Sequence, residues 1–315
     1  MNSPKHSCAR ESLAVVMFET LQSSLLIVVT VILITATVAA QESVTFHEKS
    51  ASQPLAASVN LVSQANALGR ANRWLEAVDI YLKALQLDPT NATAQNNLGH
   101  AYVELGRRDD AARCMEDAVK LQPDNALFRY NLGNIYLLIR RVPQAIEQLR
   151  KAIQLRESYP EAHNDLGNAY LDNGNYKNAL ASFTRTIELN PNLAHAYNGL
   201  GVAYHRLSRF EEAKTELLKG VARTPDSFEL QYNLGAVSLN LRDYSNAVRY
   251  FQTAMDIAPN DARTIYSLGI AYLGLKDRAS SITQYSRLRL LHSDLAAQLY
   301  KAINAGRILI VSEPK

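Results

Sequence analysis

The sequence predicts an all-α solenoid, a stack of short helix pairs closed at its C-terminal end by one further helix. Three observations predict it. Glycine recurs every 34 residues at Gly99, Gly133, Gly167, Gly201, Gly235 and Gly269, each with a leucine before it. Alanine keeps the same period at Ala77, Ala111, Ala145, Ala179, Ala213 and Ala247. Within one period the apolar residues are spaced as on helices. Leu98, Ala101, Tyr102 and Leu105 follow i, i+3, i+4, i+7, and Ala111, Met115, Ala118 and Val119 form a second such face beyond Gly106. A fixed period of this length is the signature of a repeat architecture. Neither helix is long enough to persist alone in water, so each must bury its stripe on its partner and on the next pair.

Taken from the N-terminus, the first element is a leader. Leu21 to Gln41 carry no charge, Leu25 to Ala40 form the most hydrophobic stretch, and Lys5 and Arg10 lie upstream. Val38-Ala39-Ala40 places small residues where a signal peptidase cuts, so residues 1–40 are expected to be removed after Ala40, which makes the mature chain periplasmic or extracellular. The alternative is membrane attachment through residues 21–41, since 21 uncharged helical residues span about 31 Å, near the hydrocarbon thickness. Residues 41–57 are mixed and polar and read as a linker.

Seven units of 34 residues then occupy 58–295, which is 238 of the 315 residues. Their closing prolines Pro89, Pro123, Pro191, Pro225 and Pro259 bias the preceding residue out of the helical region and end the second helix. Pro143 falls instead in a first helical turn, where its missing N–H costs nothing. Glycine at Gly99 and alanine at Ala111 let helix axes approach, and a larger side chain there would overpack at about 1–3 kcal/mol. The first unit has Ala65 in the glycine's place, and the last has Ser281 for the alanine and Ser293 for the proline. Such drift suits the terminal units of a stack. In residues 296–315, Leu299 and Ile303 continue a helix announced by Ser293-Asp294, expected to cap the last unit, and the apolar tail Arg307–Val311 is expected to lie on that cap.

The recurring Leu-Gly, the tyrosines three residues beyond it at Tyr102, Tyr136, Tyr170, Tyr204 and Tyr272, the alanine and the closing proline together resemble the tetratricopeptide repeat. The resemblance covers all seven units. It implies antiparallel helix pairs wound into a right-handed superhelix, whose first helices line a concave groove that takes extended peptides or partner helices. Carried over position by position, the groove residues are Asn96, Asn97 and His100, then Tyr130, Asn131 and Asn134, then Asn164, Asp165 and Asn168, then Asn198, then Tyr232 and Asn233. A line of side-chain amides both donates and accepts, matching the alternating N–H and C=O of a peptide backbone. Each such bond is worth a net of about 0.5–1.5 kcal/mol. The competing reading is that these amides bond adjacent repeats or water. Leu127, Leu137, Leu138 and Leu171, and later Leu239, Tyr266, Ile270 and Leu273, are interleaved apolar groups able to form pockets, while Gly199, Val202 and Ala236 interrupt the amides. The chaperone-binding members of the family grip a terminal carboxylate with several inward cations. Only Arg206 and Arg263 stand clearly in this groove, so that clamp is not expected.

Composition and motifs narrow the function further. With 33 Lys and Arg against 30 Asp and Glu, the net charge of +3 is too small a surplus to read as a nucleic-acid footprint. Cys8 falls in the leader and leaves Cys114 as a lone thiol, so neither a disulfide framework nor a cysteine metal cage is expected. His100, His163, His195 and His205 share no ligand spacing, and the Gly199-Leu200-Gly201 triplet reads as two repeat positions meeting by accident rather than a phosphate loop. Repeats, cap, leader and linker leave no stretch of the roughly 50 residues a small catalytic domain needs. The expectation is a non-catalytic scaffold without cofactor that binds protein or peptide partners. Its setting is the assembly of an envelope or secreted complex, and a membrane-anchored adaptor, a targeting subunit for an envelope glycan- or peptide-modifying enzyme and a self-assembling element are the alternatives.

Overall fold

The computed structural model describes Thr37 and residues 53–305. The leader with its cleavage site, Cys8, most of the linker and the Arg307–Val311 tail lie outside the described residues. Among those described there are fifteen helices and no strand. They divide into two compact units, one ending at Ala94 and one beginning at Gln95.

In the first unit the described part of α1 is 53–70, and α2 covers Trp74–Leu87. Residues 53–57, read from sequence as linker, are helical. Ala65, Ala77 and Ala84 have no exposed surface and Val62, Val78 and Tyr81 are buried with them. The Tyr81 hydroxyl donates to Asn66 Oδ1 across the pair. Gly69 lies against the Trp74 ring, which would be 2.7 Å from an added Cβ.

In the second unit the first helices of the repeats are α3 (Ala92–Glu104), α5 (Ala126–Leu138), α7 (Pro160–Asp172), α9 (Ala194–Arg206), α11 (Phe228–Asn240) and α13 (Ala262–Gly274). The second helices are α4 (Arg108–Leu121), α6 (Val142–Leu155), α8 (Tyr176–Leu189), α10 (Phe210–Val221), α12 (Tyr244–Ile257) and α14 (Arg278–Leu291). Successive first helices start 34 residues apart, as do successive second helices. Pro143 sits in the first turn of α6 and Pro160 opens α7.

The periodic glycines are points of contact. An added Cβ at Gly99 would meet Met115 at 2.8 Å, at Gly133 Leu149 at 2.7 Å, at Gly167 Phe183 at 2.7 Å, and at Gly201 Leu217 at 2.4 Å. Each partner lies on the second helix of the same repeat, so glycine sets the distance between the paired helices. Gly269 departs from this rule, since its neighbour is Leu299 at 2.6 Å. Leu299 belongs to α15 (Ser293–Ala305), whose Ala296, Leu299, Ala302 and Ile303 bury against Ile265, Ile270 and Leu288 of α13 and α14. Thus the last helix caps the stack by supplying the side chain that the second helix supplies elsewhere. Tyr285, displaced from that role on α14, has its ring 5.4 Å from Tyr300.

The turn from first to second helix is equally regular. Asn72, Gly106, Arg140, Gly174, Ser208, Arg242 and Lys276, one per period, all have φ between 58° and 73°. In each, the N–H of the next residue bonds back to the last turn of the first helix, for example Arg141 to Tyr136 O and Arg209 to Tyr204 O. This is the left-handed closure that usually takes glycine. Only two of the seven have it.

Candidate functional site

Which helices face inward follows from how like helices approach one another. In the second unit α5 touches α7, α7 touches α9, α9 touches α11 and α11 touches α13, whereas no two consecutive second helices make a comparable approach. The side on which neighbours converge is the inside of the curve. The first helices therefore line the concave face, and the twelve residues expected there lie on them.

Four of these residues form two hydrogen bonds between successive first helices. Asn131 Nδ2 donates to Asn96 Oδ1 at 2.8 Å, and Asn233 Nδ2 donates to Asn198 Oδ1 at 2.8 Å. The residue before the leucine on one helix thus grips the residue two before the leucine on the preceding helix. Asn96 also donates to Asn97 Oδ1 at 3.1 Å, and only 4% of Asn96 and 8% of Asn131 remain exposed. Farther along the same seam Asn240 Nδ2 lies 2.9 Å from His205 Nε2. Much of the amide line thus ties repeats together.

Between α5 and α7 the same positions hold a hydroxyl and a carboxylate. Asn164 Nδ2 donates to Asp165 Oδ1 at 3.2 Å, and Tyr130 and Asn134 flank the same carboxylate. Burial raises the Asp165 carboxyl above its ordinary pKa, the polar groups of Tyr130, Asn164 and Asn134 oppose the rise, and Glu161 adds to it. Burial, then the Asp165 charge, raise the Tyr130 hydroxyl in turn. The Tyr130 ring packs 4.9 Å from that of Tyr159.

Between α7 and α9 the pattern breaks. Gly199 stands where Asn131 and Asn233 stand in their helices, so α9 offers Asn164 no amide. Asn164 Oδ1 is buried without a hydrogen-bond partner, and so is Asn134 Oδ1. The cause is Phe183. Its ring would lie 2.7 Å from a Cβ at Gly167 and 2.3 Å from a Cβ at Gly199, so it fills the seam from both sides. Gly199 is accordingly a packing requirement and not the accident that repeat counting suggests. A phenylalanine in the second helix, shared with Phe251 and replaced by Met115, Leu149 or Leu217 in other repeats, was the sequence signal for it, and the residue at the place of Gly199 after Phe251 is likewise small, Ser267.

His100 and Asn168 are exposed on this face. Surrounding protein lowers the His100 pKa, and Glu104 opposes that shift. A side chain both open to solvent and flanked by protein is what a concave wall produces. Of the interleaved apolar groups, Leu127 (51% exposed) and Leu138 (42%) are open, whereas Ile270 at 5% belongs to the core under the cap. Arg263 lies 3.6 Å from Asp261 and over the Tyr232 ring. Cys114 is half-buried, and burial, then Asp117 and Asp110, push its thiol up to about 11, away from the reactive thiolate.

Comparison with known proteins agrees with this architecture. Models described as tetratricopeptide repeat match residues 96–162, 194–227 and 228–261, and one described as TPR repeat matches 65–106 and 167–208. No curated protein matches the sequence. Among solved structures, a MamA protein is 26% identical over 54% of this chain and 93% of its own, with a TM-score of 0.51. YrrB, described as a TPR protein with an unusual peptide-binding site, is 20% identical over 59% of this chain and 96% of its own, with a TM-score of 0.51. A tetratricopeptide repeat protein from Parabacteroides merdae is 14% identical over 79% of this chain and 99% of its own, with a TM-score of 0.62, and shares the fold. The chain belongs to the tetratricopeptide repeat family, a family of protein-interaction scaffolds.

Proposed function

We propose that the protein is a non-catalytic adaptor that holds a segment of a partner protein along the inner face of α3, α5, α7, α9, α11 and α13. The observation that carries this reading is the mixed character of that face from α3 to α7. His100 and Asn168 are open to solvent on α3 and α7, and Leu127 and Leu138 are exposed on α5 between them. Exposed apolar groups among exposed polar ones are what an interface core and its rim require. A family of scaffolds and a concave wall support the same reading.

The test is site-specific cross-linking. A photoreactive side chain at His100 or Asn168 should capture a protein that one at Arg150 or Lys219, both exposed on second helices, does not. A synthetic peptide of the captured segment should then compete. Capture from Arg150 and Lys219 alone would move binding to the other face and end this proposal.

We also place this adaptor outside the cytoplasm, in the assembly of an envelope or secreted complex, on the strength of the uncharged stretch from Leu21 to Gln41 and of Val38-Ala39-Ala40. Among the described residues no helix is long and apolar enough to cross a membrane. N-terminal sequencing of the mature protein tests the export reading. A first residue of Gln41 supports a released protein, and a chain that retains 21–41 is a membrane-anchored adaptor instead.

A further inference from the structure

A hollow of about 560 Å³ lies at the edge of the inner face, where α9 and α11 begin. We propose that it receives a lysine or arginine side chain of the bound segment, an inference that rests on the adaptor reading above.

The hollow exists because of how α10 ends. That helix has 12 residues where α4, α6, α8 and α12 have 14, and no residue of it lines the hollow. Arg223 follows its end, at the place where Leu121, Leu155, Leu189 and Ile257 close the other repeats. Its guanidinium turns back to Pro191 O and Lys219 O, each at 2.7 Å, and stacks 4.3 Å over the Tyr197 ring. A long cation tied down elsewhere replaces an aliphatic side chain.

The lining then has two chemistries. Pro225, Phe228, Leu230 and Ile257 give apolar walls. Asp226 and Glu229 give the same lining two carboxylates. Among the described residues Asp226 has no hydrogen-bond or ion-pair partner, and Glu229 has only the Ser227 hydroxyl at 3.1 Å. Glu229 lies in the first turn of α11, where the helix dipole favours negative charge. The cation on the neighbouring first helix, Arg263, is held by Asp261 and the Tyr232 ring. His195 and Asn198 complete the polar side, with Asn198 Oδ1 already accepting from Asn233. A long aliphatic stem with a cationic head fits such a place, the stem against the walls and the head at the carboxylates. An acidic side chain would meet two like charges. A purely aliphatic one would gain nothing from the two carboxylates.

The decisive comparison is arginine against citrulline, which has nearly the same shape and no charge. Acetylated, amidated pentapeptides Gly-Gly-Xaa-Gly-Gly, with Xaa as Arg, Lys, citrulline, norleucine or Glu, are titrated into methyl-labelled protein. The Ile257 and Leu230 methyl resonances report occupancy. Arg and Lys peptides should saturate these shifts at concentrations at least about tenfold lower than citrulline, a preference that weakens with salt. In the double variant Asp226→Asn, Glu229→Gln the preference should vanish while the melting temperature holds. Equal titration by Arg and citrulline in the native protein overturns the proposal whatever the variant does. If all five peptides bind the inner face alike, the adaptor reading stands and this pocket assignment falls. If none shifts any inner-face resonance while cross-linking maps a partner to the second helices, both fall.

Discussion

The seam between α9 and α11 and the seam between α7 and α9 are built from the same positions and end differently. In the first, Leu217 fills the space behind Gly201, Asn233 is accommodated, and its amide grips Asn198. In the second, Phe183 takes the room, Gly199 is required, and Asn164 Oδ1 is left without a partner. The size of one core side chain on a second helix thus decides which hydrogen bonds the opposite, inner face keeps for itself. Core packing and inner-face hydrogen bonding are coupled across a single repeat, through volume rather than charge.

The largest expected effect comes from forcing the second seam to resemble the first. Gly199→Asn drives a side chain into the Phe183 ring and should destabilise the protein by about 3 kcal/mol, the upper end for overpacking. Adding Phe183→Leu should return most of that loss and give Asn164 a donor, as Asn198 has from Asn233. Denaturant midpoints of the single and double variants measure the coupling. Independent, additive effects would show that the ring and the missing amide are unrelated.

The next effect separates amides that hold repeats together from amides open to a ligand. Asn131→Ala removes the donor to Asn96 Oδ1 at a buried pair and should cost about 1–3 kcal/mol. Asn168→Ala, on the exposed part of the same face, should change stability by no more than about 0.5 kcal/mol while weakening partner binding. Thermal melts beside a binding assay check both halves, and similar melting for the two would erase the distinction.

This distinction marks how far the sequence could be read. The period exposed the fold because Gly99, Gly133, Gly167, Gly201 and Gly235 each face a large side chain of the paired helix, a constraint repeated in every unit. The inner face obeys no such constraint. Asn96 and Asn168 are the same residue type at neighbouring positions, one buried against Asn131 and one open, and only the packing of the next repeat decides which. The left-handed turns escaped notice because Arg140, Ser208, Arg242 and Lys276 carry side chains where glycine would have announced them.

A smaller effect of opposite sign is expected at the junction of the two kinds of seam. The Asp165 carboxyl has a raised pKa, so ionisation is less favourable in the folded chain than in the unfolded one. The folded state binds more protons between the ordinary carboxylate pKa and the raised one, and the native protein therefore loses stability as pH rises through that window. Asp165→Asn removes the penalty and supplies an N–H group beside the partnerless oxygens of Asn134 and Asn164. It should stabilise by about 1 kcal/mol at pH 7, with the advantage shrinking as pH falls toward 4. A pH series of melts reads this, and a constant difference would assign the gain to hydrogen bonding alone.

The smallest effect uses the turns, which are alike in both seams. Ser208 has φ of 58° between α9 and α10, is exposed, and makes no side-chain hydrogen bond among the described residues, whereas Gly174 at φ 72° closes α7 with no Cβ to strain. An L-residue pays about 1–2 kcal/mol for that region, and glycine recovers it less its larger loss of chain entropy. Ser208→Gly should therefore stabilise by about 0.5–1 kcal/mol, and Gly174→Ser should destabilise by a similar amount. Because neither position touches the inner face, partner affinity should not move in either variant. A change in affinity would mean that the turn sets the spacing of α7 and α9, so that backbone geometry, as well as the Phe183 ring, shapes the inner face.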